Sequence, residues 1–159
     1  MIFDRTQNDV DTAIRLRNEK VKFDPRTMQP INPEELTESE IATLEKGFLT
    51  INTLNRIEKK QTELKNLFNS IGYYNVEVDN RQWTYTDYFL PSDFARILIN
   101  LENLKKAFFV YSATPIVPDD NYRRYQTLNA VEKILFDLDV MINDIKSNYR
   151  ECGNFQCGE

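Results

Sequence analysis

The sequence predicts a mainly α protein: a small helical bundle of three long helices with a short N-terminal helix. Three observations predict it. Apolar residues recur at alternating spacings of three and four along three long stretches. Helix-starting and helix-ending residues bracket those stretches. No internal repeat or low-complexity tract competes with that pattern. An extended proline-containing arm and a small β-hairpin are expected to decorate the bundle. At 159 residues the chain suits one domain with appendages and folds without a staple, burying roughly 68–70% of its unfolded surface. The expected partition is an N-terminal helix and arm over 1–46, a bundle core over 47–149 and an extended tail over 150–159.

The first helix spans residues 6 to 20. Thr6 suits its N-cap, and Asp9 completes a capping-box variant that also favours the helix dipole. Val10, Ala13, Ile14 and Val21 form a thin stripe that calls for a larger packing partner. The arm at 22–36 carries Pro25, Pro30 and Pro33, each removing a backbone donor and turning its predecessor away from helix. Thr37 and Glu40 form a second capping box, and Gly47 closes that short helix. Leu54, Ile57, Leu64, Phe68 and Ile71 carry the second major helix, with Gln61 interrupting the seam and Gly72 placed for a left-handed cap. Residues 75–78 and 82–85 are expected to pair as a hairpin across Asp79-Asn80. Ser92, behind Pro91, is the expected cap of a helix whose face is Phe94, Ile97, Leu98, Leu101, Leu104 and Phe108. Residues 113–120 turn the chain through Pro115 and Pro118. The last helix has the longest seam: Leu128, Val131, Leu135, Leu138, Ile142, Ile145 and Tyr149.

Composition excludes several function classes. Twenty Lys and Arg against 25 Asp and Glu give a net charge of −5, which opposes a nucleic-acid partner needing a basic footprint. No apolar run reaches the ~18 residues of a bilayer span, and the N-terminus lacks a signal-peptide layout, so cytoplasmic synthesis is expected. Histidine is absent. The commonest general base and metal ligand is therefore missing, and no Ser-His or Cys-His triad can be built. Only Gly47, Gly72, Gly153 and Gly158 are glycines, so no phosphate-cradling loop exists. No catalytic, cofactor-binding or metal-binding residue is assigned, and no cofactor is expected.

Three constellations remain. Cys152 and Cys157 supply at most half of a four-ligand zinc site and do not form a C-x-x-C motif. In a reducing compartment they are free thiols. Tyr73, Tyr74, Trp83, Tyr85, Tyr88 and Phe89 crowd one stretch. Trp83, Tyr85 and Tyr88 can form a docking or sugar-stacking face, or the group can close the bundle as core. Asp87 beside them invites a hydrolase reading, with its carboxylate made more basic by apolar neighbours, yet spacing singles out no second carboxylate.

Several phrases together, DRTQNDVDTA, GFLTINTLNRIE, WTYTD before SDFARILINLENL, LNAVEKILFDLDVMI and the ending CGNFQCGE, resemble a helical module of Firmicutes phage and prophage tail structural proteins. The ending departs from the family's Ser-Gly-Glu pattern, reading Cys152-Gly153-Asn154 here. The resemblance implies a non-catalytic virion protein of the tail, baseplate or fibre region, a homo-oligomer within the particle after synthesis in the bacterial cytoplasm. On that footing the tail, with Asn154, Phe155 and Cys157, is expected to add as a strand to a neighbouring tail protein. The arm with Pro25 and Pro30 is expected to clasp another. The alternative is a host-surface glycan module using the aromatic patch.

Overall fold

A computed structural model describes residues 1–22, 35–84, 86–107, 110–119 and 124–152. The arm positions Pro25 and Pro30, the hairpin position Tyr85, and the tail positions Asn154, Phe155 and Cys157 lie outside the described residues. Five helices appear in order: α1 (Gln7–Lys20), α2 (Glu38–Gly47), α3 (Ile51–Ser70), α4 (Pro91–Lys106) and α5 (Tyr125–Cys152). The protein is mainly helical and bundle-like, as expected.

Local chemistry sets the helix ends. In α1 the Asp9 amide donates to Thr6 Oγ1 at 3.3 Å, and the Thr6 amide donates to Asp9 Oδ2 at 2.7 Å. The same reciprocal box joins Thr37 and Glu40 at the start of α2. Gly72 adopts φ 96°, with the Tyr73 amide bonding Phe68 O and the Gly72 amide bonding Asn69 O. That double return is the Schellman closure, and the Phe68 and Tyr73 rings meet edge-on at 6.2 Å.

Two ends differ from expectation. Leu90, not Ser92, is the N-cap of α4, because Pro91 occupies the first helical position. The Asp93 carboxylate then accepts the Leu90 amide at 2.9 Å. Gly47 is the last residue of α2 rather than a left-handed cap. Its requirement is steric: a Cβ there would meet Ala13 Cβ at 2.2 Å and Asp9 O at 2.8 Å. Ala13 is the one buried residue of α1, so the thin stripe finds its partner in a close α1–α2 crossing.

The three long helices pack pairwise around Leu54, Ile57, Leu64, Phe68, Ile97, Leu101, Leu104, Val131, Leu135, Leu138 and Ile142. Their direction follows from side-chain pairing. Along α3, Arg56 meets Glu132 and Lys60 meets Asp139; Glu58 meets Arg96 and Gln61 meets Asn100. Partner numbers rise together, so α3, α4 and α5 run the same way. Same-direction helices require long returns, which residues 71–90 and 107–124 supply. Helix α5 continues through Cys152, so residues 150–152, expected in the extended tail, are helical. No helix of the described residues is long and apolar enough to cross a membrane.

The expected hairpin does not form: among the described residues, 73–84 contain no strand. The segment crosses the bundle once, antiparallel to α3 and α4. Helical side chains take the place of a partner strand.

Candidate functional site

Polar residues lying on apolar helix faces hold two extended segments against the bundle. The Asn55 amide bonds both backbone groups of Trp83, accepting from its N–H at 2.8 Å and donating to its C=O at 3.0 Å. Asn100 does the same to Asp79, at 2.9 and 2.6 Å. Asn129 repeats the device at the N-terminus, clamping Arg5 at 3.1 and 2.9 Å. A primary amide carries a donor and an acceptor side by side, so it mimics one residue of a neighbouring strand.

Glu58 is the centre of the larger cluster. It is 2% exposed, and its carboxylate accepts four N–H groups. Arg96 reaches it bidentately, at 2.5 and 3.0 Å, while Trp83 Nε1 and the Arg81 amide each donate at 3.0 Å. Four donors fill the four lone-pair directions of a carboxylate. Hydrogen bonding to Glu58 pushes the Arg96 guanidinium above its usual value, against the opposing effect of burial. This carboxylate is a structural anchor, its oxygens occupied by the four donors.

Glu132, fully buried in α5, gathers the N-terminus. It accepts from the Ile2 amide, from Arg5 Nη2 at 3.3 Å and from Arg56 Nη2 at 2.8 Å. Burial pushes the Arg5 guanidinium below its usual value while Glu132 opposes the shift; an arginine still stays charged. Thr114 Oγ1 donates to Asp137 at 3.1 Å, and Lys105 donates to Pro115 O at 2.6 Å, fastening the second return.

The predicted aromatic face is divided by the fold. Trp83 is 3% exposed and packs edge-on with Phe89 at 5.5 Å. It is an interior residue, because its indole N–H finds an acceptor only at Glu58. Tyr88 is 79% exposed, so the two are not brought into one stacking surface. Asp87 also departs from expectation. Its carboxylate accepts the Thr84 amide at 2.7 Å and hydroxyl at 2.8 Å, and pairs with Arg81 at 2.5 Å. The Thr84 backbone and hydroxyl, then Arg81, hold it below the usual carboxylate range, opposite to what an acid catalyst requires.

A cleft of about 1020 Å³ lies among Val10, Phe48, Leu49, Phe89, Arg124, Tyr125 and Leu128. Among the described residues no group of three or more Cys, Asp or Glu side chains is arranged to hold a metal. Sequence reasoning missed Asn55, Glu58, Asn100, Asn129 and Glu132. Their signal was a polar residue three or four positions from core residues, as Asn100 stands to Ile97 and Leu104. Gln61, read as a seam break, is a fully buried cross-link: it donates to Ile97 O at 2.9 Å and accepts from Asn100 at 3.1 Å.

Neither a protein-family model, nor a curated protein, nor a solved structure matches this chain.

Proposed function

We propose that this chain is a non-catalytic structural protein of a bacteriophage tail, baseplate or tail-like particle. It acts as a helical adaptor whose proline arm and C-terminal tail dock to other tail proteins. The observation carrying the non-catalytic half is the state of the acids. Glu58 accepts four internal donors and Glu132 three, holding extended chain on the helices, while Asp87 accepts three from Thr84 and Arg81 within its own turn. A group so engaged contributes rigidity and is withdrawn from proton transfer. The setting, a virion, rests on the resemblance of the helix phrases.

Docking by such a body uses shape complementarity, and many copies in a particle add weak contacts through multivalency. The test is mass spectrometry of purified tail particles from an induced host, after amine-to-carboxylate cross-linking. The protein is expected in the particle, with cross-links from Lys20, Lys22 or Glu159 to a different particle protein. Particles that assemble normally and never contain the chain overturn the reading. A chain truncated after Cys152 is expected to melt cooperatively and yet stay out of the particle.

A further inference from the structure

The return segment 76–83 is bonded to the helices through the backbone of alternate residues. Bonds to the helices fall on Glu77 (C=O to Asn103), Asp79 (both groups to Asn100), Arg81 (N–H to Glu58) and Trp83 (both groups to Asn55). All are odd positions. In extended chain the N–H and C=O of one residue share a side, and successive residues face opposite sides. The backbone groups of Val76, Val78, Asn80 and Gln82 therefore point away from the helices, and none of them has a partner. These groups line one edge of the segment, which runs from the buried Val76 through the half-buried Val78 and Asn80 to the exposed Gln82.

We propose that this edge pairs antiparallel with the same edge of a second copy. Charge selects both the occupant and the register. Glu77, Asp79 and Arg81 are exposed and share one face at a period of two. Antiparallel pairing centred on Asp79 sets each Glu77 opposite the second copy's Arg81, twice by symmetry. It also matches Val76 with Gln82 and Val78 with Asn80, so that every unpartnered even residue meets another. Centring on Val78 would oppose Glu77 to Asp79, two acids, and centring on Asn80 would oppose Asp79 to Arg81 but set Glu77 against the buried Trp83. The Arg81 guanidinium hydrogen-bonds Asp87 at 2.5 Å, lies 3.7 Å from Asp93 and stacks over the Trp83 ring at 4.5 Å, and with its side chain 43% exposed it keeps N–H donors for the pairing. The only like-charge contact is Asp79 against Asp79 on the axis. An isologous pair of this kind closes at two and leaves no free edge. The inference stands on the backbone pattern and the charges beside it and is independent of the virion reading.

The experiment is sedimentation equilibrium of the full chain, with circular dichroism to confirm folding. A reversible dimer is expected. Glu77→Arg should weaken it roughly tenfold by placing like charges across the strands. Arg81→Glu should do the same, and an equimolar mixture of the two variants should restore dimerisation, because both cross-strand pairs are then of opposite sign. Gln82→Pro removes an edge donor that has no partner within the monomer, and should also weaken the dimer. Asp79→Asn should tighten it at neutral pH. Amide exchange at Val76, Val78, Asn80 and Gln82 should slow as protein concentration rises. A wild-type chain that stays monomeric at millimolar concentration would falsify the proposal. A dimer indifferent to Glu77→Arg and Gln82→Pro overturns it equally, by placing the interface elsewhere.

Discussion

Asn55, Asn100 and Asn129 show how one residue type organises the unpaired chain. Each offers a carbonyl and an amide to the two backbone groups of a single extended residue. Asn100→Ala leaves both Asp79 groups without these bonds, at a cost of about 1–3 kcal/mol if water cannot replace them. Faster amide exchange at Asp79, with the α5 core amides unchanged, is the expected outcome by NMR. Glu58→Gln should be costlier, about 3–5 kcal/mol, since it leaves the Arg96 charge without its partner; urea titration measures it. The two interior glycines fail for different reasons when changed to alanine. At Gly72 the strain is conformational, roughly 1–2 kcal/mol for a left-handed alanine. At Gly47 the new Cβ collides with Ala13 and the Asp9 carbonyl, so α1 and α2 must separate.

At the scale of elements, α1 and α2 form a pair held by close approach and by charge. Lys20 pairs with Glu40, and Lys46 bridges Asp4 and Asp9 at 3.4 and 3.3 Å. The Lys20 hydrogen bond, then the Thr37 amide, draws the Glu40 carboxyl down to about 2. A carboxyl lowered on folding stabilises the folded state above its unfolded value. That contribution fades as pH falls from about 4.5 towards 2, when the group becomes protonated in both states. Titration followed by carboxyl NMR should show Glu40 still ionised as the pH falls towards about 2. Lys20→Ala should raise it towards the ordinary range, with the Thr37 hydrogen bonds still holding it below. Lys46 shows the opposite sign: Asp9 and Asp4 raise it, so its contribution holds below the unfolded value near 10.4. It is lost as pH climbs through the folded one. The three long helices share an aliphatic and aromatic core that the buried Glu58–Arg96 and Arg56–Glu132 pairs cross.

For the whole molecule, the N-terminal segment is tied to the bundle through Glu132. This carboxylate joins Ile2, Arg5 and Arg56, and Arg56 reaches Glu45 of α2 at 3.6 Å. Phe3 adds a contact with Phe136 at 5.2 Å, the Lys133 ammonium lying near both rings. Glu132→Gln should therefore loosen residues 1–47 before the rest. Limited proteolysis is expected to cut within that region first, leaving a protected fragment over 49–148. Simultaneous global cleavage would show that the two parts melt as one unit. The same-direction arrangement also places the C-terminal ends of α3, α4 and α5 at one end of the bundle. Cys152, the last residue of α5, lies at that end, opposite the end where the N-terminal pair is fastened.

Helix existence, helix seams and most caps were written in the sequence, because they depend on residues three or four apart and on side chains beside their own backbone. Thr6 with Asp9, Thr37 with Glu40 and Gly72 all behave as their neighbourhood dictates. The tertiary structure alone decided what fills the gaps between helices. Residues 75–84 alternate as a hairpin arm would, yet a hairpin must compete with helix-borne amides that lie 20 to 30 positions away and are already aligned. Packing also decided that Trp83 is interior while Tyr88 is exposed, and that Gln61 joins helices where its polarity suggested a fault. Local periodicity specifies which face of a helix is buried, whereas the direction of its neighbours and the partner of each buried polar atom exist only once distant segments have met.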